Sequence, residues 1–250
     1  MPKWIKWILG LLGMIVVALG IAFLIFSESL PTGKTGSEAE AMANKMLTAI
    51  NKPAWDNNTG IVQWSFPGGH DFIWDKKRHL TEVKWGNNRT LIDLQKVTGK
   101  AYTDGNEVTG EAGAALVKEA WEYWCNDSFW LNAPAKVMDG GTERSVVDLE
   151  DGGKGLLVTY KGGGATPGDS YLWTLDDSGL PTNYKMWTSN IPVGGVSATW
   201  DDWQTLPTGA KIATSHTLSI GGVEIPITNI KAATDLSSFG MTEDIFAPIL

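Results

Sequence analysis

Residues 170–187, SYLWTLDDSGLPTNYKMW, read as two strands folded back on each other. Tyr171, Trp173 and Leu175 recur at every second position, the period that puts side chains on one face of a strand. Asp177-Ser178-Gly179 then supplies the turn, and the chain returns through Tyr184–Ser189.

The same rhythm extends in both directions. Downstream, Val196, Ala198 and Trp200 alternate, followed by Ile212, Thr214, His216 and Leu218 within a strand expected over 211–220, and a last one over 223–230. Upstream, Ser145–Glu150 and Leu156–Lys161 flank Asp151-Gly152-Gly153, a strong hairpin signal. Further back, Val62, Trp64 and Phe66 form one alternating run. Phe72-Ile73-Trp74 follows Gly68-Gly69, Thr81, Val83 and Trp85 form the next strand, and short strands are expected at 91–94 and 100–103. The 29 glycines, many in Asp-Gly and Gly-Gly pairs, fit a chain full of turns.

Helical spacing occurs in two places. Ser37-Glu38-Ala39-Glu40 has the form of a capping box, and Ala39, Met42, Ala43, Met46, Leu47 and Ile50 recur at three and four residues until Pro53. Thr109 can cap a second helix whose apolar face is Leu116, Val117, Ala120, Trp121 and Trp124, decaying near Asn126 into an irregular Phe129-Trp130-Leu131. Two helices are too few to cover one face of so many antiparallel strands. The expected fold is therefore mainly β with two helices (α+β), a curled antiparallel sheet or open half-barrel.

The N-terminus sets the compartment. Residues 7–26, WILGLLGMIVVALGIAFLIF, hold no charged side chain, and Lys3, Lys6, Trp4 and Trp7 precede or open the run. Twenty helical residues span about 30 Å, a bilayer's hydrocarbon thickness. The run exceeds the roughly 7–15 residues of a cleaved signal's core and lacks an Ala-x-Ala site, so it reads as a retained anchor. By the positive-inside rule the N-terminus is cytoplasmic and the rest is periplasmic or extracellular, in a single-pass topology. The expected divisions are 1–26 for cytoplasmic end and anchor, 27–36 for a polar linker, and 37–250 for an exported β-rich domain.

Charge narrows the partners. Without Lys3 and Lys6 the 20 basic side chains fall to 18 against 28 acidic, a formal charge of −10 that argues against nucleic acid. The single cysteine, Cys125, forms no intramolecular disulfide and reads as a small apolar side chain among aromatics.

Motifs for chemistry are weak. Gly163–Ser170 approaches a phosphate loop, but Asp169 stands where its lysine belongs and strands flank it. Gly168-Asp169-Ser170 resembles an esterase signature without the Asp-x-x-His that would supply a base. His70, Asp71, Asp75 and His79 lie close in sequence, yet beside Lys76-Lys77-Arg78 they read as a solvated turn rather than a metal site. No catalytic residue, metal or cofactor is expected, and the chain reads as no enzyme.

What remains is the aromatic load, 13 tryptophans in a domain without disulfides. Trp64, Phe66, Trp74, Trp85, Trp173 and Trp200 lie on expected strands and either form the core or line an apolar cavity.

Element order and the hairpin SYLWTLDDSGLPTNYKMW together resemble the periplasmic lipoprotein-carrier (lipoprotein-sorting, LolA/LolB-type) half-barrels over about residues 38–235. That resemblance implies an open sheet curled around a hydrophobic cavity holding acyl chains. A tethered chain departs from a diffusing carrier, and no functional residue of the family maps onto a position here. The expected function is non-enzymatic binding of a lipid-like or lipopeptide ligand. The alternative is a structural or protein-interaction domain of the cell envelope with a filled core, partnered by another envelope protein.

Overall fold

The computed structural model describes residues 2, 4–11, 14, 27–163 and 165–250. Residues 4–11 are helical. Among the described residues no helix is long and apolar enough to cross a membrane, and most of the expected span Trp7–Phe26 lies outside them.

Two antiparallel sheets, neither closed, carry the fold. The first runs through β1 (Ile61–Phe66), β2 (His70–Asp75), β3 (Leu80–Trp85), β4 (Asn88–Asp93), β5 (Thr98–Thr103) and β6 (Asn106–Val108) in sequence order. The second is a meander of β7 (Thr142–Asp148), β8 (Lys154–Tyr160), β9 (Ser170–Leu175), β10 (Pro181–Trp187) and β11 (Val196–Thr199). Two small ribbons follow, β12 (Gln204–Thr205) with β13 (Lys211–Ile212), and β14 (Ser215–Thr217) with β15 (Glu224–Pro226). The last strand, β16 (Thr228–Ala233), returns to the first sheet and pairs with β1, Ile61 opposite Ala233. The single curled sheet expected from the sequence is thus divided in two, because the strands beyond β11 are too short and bent to extend it.

Beyond the helical residues 4–11, the domain carries four α-helices, α1 (Ser37–Ala49), α2 (Lys52–Asn57), α3 (Gly110–Asn132) and α4 (Leu236–Phe239). The count of two was therefore low. Pro53 does not close the first helix. Asn51 breaks it with a left-handed backbone (φ 54°), and Pro53 then sits in the first turn of α2, where a missing N–H costs nothing. The capping box at Ser37 does not form either. The N-cap is Gly36, and the Glu40 carboxylate binds Arg144 of β7 instead (Nε–Oε1 2.9 Å). Nor does α3 decay at Asn126. It continues to Asn132 because Asp127, Ser128, Trp130 and Leu131 are all buried against the sheets.

The alternation read from the hairpin holds in the second sheet. Trp173, Tyr184, Val196 and Ala198 are buried in one core with Met46 of α1 and Leu131 of α3. The other face of the first sheet is not bare. Leu80 and Leu91 receive Phe246 from the C-terminal segment, with Tyr102 and Leu236 beside it.

The stretch 27–36 is held by the domain. It lies across the outside of the second sheet, and Lys34 pairs with Val146 on the free edge of β7 through both backbone bonds (2.8 and 2.9 Å).

Candidate functional site

The six aromatics singled out in the sequence occupy one continuous core, in two groups. On the first sheet Trp64 stacks on its cross-strand partner Phe72 (centroids 4.5 Å, 11° between planes). Trp74 stands edge-on to Trp124 of α3 at 5.2 Å, and Trp85 meets Tyr123 of α3 at 5.7 Å. On the second sheet Trp173 and Trp200 lie 5.0 Å apart, with Tyr184 4.9 Å from Trp173. Trp64, Trp173 and Trp200 are fully buried, whereas Phe66, Trp74 and Trp85 are half-buried at the margin.

These side chains fill the interior instead of lining a hollow. A narrow void of about 10 Å³ lies between Ile50, Trp55, Leu131, Asn132, Trp203 and Ile212, and none of the six borders it. Ligand pockets run to roughly 300–1,000 Å³. A larger concavity of about 510 Å³ lies on the surface between Asp75, Lys77, Arg78 and the segment 234–244. Three of its charged side chains, Asp75, Arg78 and Asp244, are already paired. Arg78 grips Asp244 with two nitrogens (2.6 and 3.0 Å) and Asp75 with a third (2.8 Å). The hydrogen bond to Asp244 holds the guanidinium above its ordinary value, and the same bond lowers Asp244.

The core has one chemical peculiarity. The indole nitrogens of Trp64, Trp74, Trp124, Trp173 and Trp200 are buried with no hydrogen-bond partner among the described residues, as are Tyr160 Oη and His216 Nε2. Buried donors usually find a partner, since leaving one unmade costs about 1–3 kcal/mol.

Three polar groups that the sequence placed in solvent are built into the structure. His70, expected in a solvated turn, begins β2 and bonds Asp127 of α3 through Nδ1 at 2.7 Å while stacking on Tyr123 (4.1 Å). Asp127 is 1% exposed; burial raises its carboxyl, against the opposing bonds from Asn126 (2.8 Å) and His70. Asp75, also assigned to that turn, is buried against Arg78, whereas Asp71 and His79 are exposed as expected. Lys76 turns inward over the Trp55 ring (4.0 Å) and donates to the carbonyls of Trp55 and Thr59; burial pushes it down to about 8. Local charge density misled the reading at all three: the partners of His70 and Lys76 are distant in sequence, and Asp75 is buried with the Arg78 of its own turn.

His216 sits between Trp200 (4.4 Å) and Trp130 (5.2 Å), its Nδ1–H donating to the Thr199 carbonyl at 3.0 Å. Burial pushes it down to about 4, so it is neutral at physiological pH.

Nucleophiles fare no better than in the sequence. Burial pushes the Cys125 thiol up to about 12, which keeps it protonated. Ser170 shares a hydrogen bond with Thr159 (2.8 Å). The loop resembling a phosphate cradle is tied down by Asp169, whose buried carboxylate accepts from the Ser189 N–H (2.9 Å) and Thr166 Oγ1 (2.6 Å). Among the described residues no group of three metal-ligating side chains comes together.

Solved structures similar to this chain include the following two. A DUF1329 family protein from Desulfovibrio piger matches with a TM-score of 0.44 and 9% identity over 84% of this chain and 98% of that one. An outer membrane lipoprotein-sorting protein domain from Vibrio parahaemolyticus, itself described as putative, matches with a TM-score of 0.38 and 7% identity over 84% and 97%. No family model and no curated protein matches the sequence.

Proposed function

We propose that this chain is a single-pass membrane protein whose exported, non-enzymatic domain works as an interaction module of the cell envelope, with a core closed by its own aromatics. The filled interior carries this reading. Trp64 and Trp173 are 0% exposed and Trp200 1%, and the void beside Trp55 and Trp203, about 10 Å³, is more than an order of magnitude below a ligand pocket of roughly 300–1,000 Å³. The apolar, uncharged run at 7–26 supports the anchor, and the acidic balance beyond it suits an exported soluble face.

A second reading, binding of a lipid-like or lipopeptide ligand, has its own observation. Trp64, Trp74 and Trp124 present indole donors without acceptors where α3 lies on the first sheet. An acyl ester or amide carbonyl is an acceptor of the right kind, and lifting α3 from the sheet would admit one.

One experiment separates the two. The full chain is extracted from membranes in mild detergent and weighed intact by native mass spectrometry, and in parallel crosslinked in situ. The interaction reading expects the bare mass and a discrete protein adduct. A stoichiometric lipid adduct, with tryptophan fluorescence quenched by a brominated fatty acid, would replace it with the second.

A further inference from the structure

The apolar run at 7–26 is followed at once by a segment that the domain holds fast. Ser27 Oγ accepts the Gly194 N–H at 3.1 Å, and the Glu28 N–H donates to the Gly194 carbonyl at 2.9 Å. The Glu28 carbonyl accepts from Trp187 Nε1 (2.8 Å), while its carboxylate takes Lys185 Nζ with both oxygens at 2.7 Å. Two glycines make the seat possible. A Cβ on Gly194 would stand 2.6 Å from both the Glu28 carbonyl oxygen and the Trp187 ring, and one on Gly195, at φ +81°, would stand 2.7 Å from Glu28 Cβ.

The other end of the segment is fixed as well. Lys34 pairs with Val146 on β7, and Gly33 passes so close to Ser145 that a Cβ there would clash at 2.3 Å. From β10 to a strand beside β7 is four strand spacings, about 19 Å. Six residues reach about 20 Å when extended. The segment is therefore nearly taut, a strap over the row Lys185, Leu172, Leu157 and Ser145 that register aligns across the sheet.

We propose that this strap docks the domain on the bilayer in one orientation, with the end of the second sheet that carries loops 161–168 and 188–195 against the lipid surface. The proposal rests on the reading of 7–26 as an anchor. The last anchor residue is one peptide from Ser27, so no free chain intervenes between the bilayer and the Gly194 loop. The loops there fit that neighbour. In a domain of formal charge −10, the two stretches contain one charged residue, Lys161, and the second carries Ile191 and Val193, both partly buried. Trp187 has the amphipathic side chain favoured at the headgroup level. The turns at the far end of the strands, Gly152 and Ser178, stand off by a seven-residue strand, roughly 23 Å.

The test uses the full chain with Cys125→Ser, reconstituted in phosphatidylcholine vesicles and labelled at Asn190→Cys or Ser178→Cys with an environment-sensitive fluorophore. Both positions are exposed. Spin-labelled headgroups should quench the label at 190 severalfold more than the label at 178. Inserting ten Gly/Ser residues between Phe26 and Ser27 leaves the strap seated but gives the domain a free tether of about 17 Å, and the difference should collapse. Equal quenching at the two sites in vesicles that float with the protein overturns the orientation and leaves the anchor standing. A chain that does not float with the vesicles overturns the anchor, and the orientation with it.

Discussion

Asp127, near the C-terminal end of α3, and His70, the first residue of β2, are joined by a 2.7 Å hydrogen bond at the edge of the aromatic core. The helix that covers the first sheet is thereby fastened to it by a polar contact as well as by Tyr123 and Trp124. Burial raises Asp127, so the folded protein holds that proton more tightly than the unfolded chain does. The neutral form's contribution is complete below the ordinary value of 3.8 and is lost as pH rises through the raised one. Replacement Asp127→Asn should flatten this part of the stability profile, read from urea unfolding at a series of pH values.

His216 gives a slope of the opposite sign. Its pKa falls from 6.5 unfolded to about 4 folded, so its contribution is complete above 6.5 and drains away as pH drops towards 4. The whole window is worth about 3 kcal/mol at 1.36 kcal/mol per pKa unit. In His216→Gln the acid limb should shift towards lower pH, measured by the same titration.

Trp173 and Trp200 should be the costliest truncations. Each to Ala leaves a large cavity in a core with little room to collapse, and about 3–5 kcal/mol should be lost. Trp200→Phe should cost far less, since it keeps an aromatic ring in the core and removes a buried donor that has no acceptor. Thermal or urea unfolding distinguishes these outcomes.

Arg78 ties the C-terminal segment to the outer face of the first sheet through Asp244, with its guanidinium 5.4 Å from the Phe246 ring. Arg78→Ala should free residues 236–250 to protease and hydrogen exchange and destabilise by about 2 kcal/mol, the range of hydrogen bonds to charged groups. Arg78→Lys should not restore the protection, because an ammonium cannot bridge Asp75 and Asp244 with a planar fork.

Much of the strand pattern was legible because it is a local property. Tyr171, Trp173, Val196 and Ala198 alternate within a few residues of one another, and side-chain period needs no distant partner. Pairings across the chain left no such mark. Glu40 was read as a capping residue because Arg144, which claims it, is 104 residues away. His70 and Asp127 are 57 apart, and His70 stands among charges that suggest water. The aromatic residues could be recognised as candidates for burial, but whether they fill the interior or border a cavity depends on how α3 meets the sheet. Its continuation through Phe129-Trp130-Leu131 was hidden by side chains buried on nearly every side, which blurs the amphipathic signal.

The pairing of β16 with β1 bears on how the molecule is made. Ile61 finds Ala233 only after more than 170 intervening residues have left the ribosome, so one margin of the larger sheet stays unpaired through most of synthesis. Such non-local closure slows folding and exposes a strand edge to other chains. The nascent polypeptide therefore has reason to be shielded by a chaperone until its final tenth emerges.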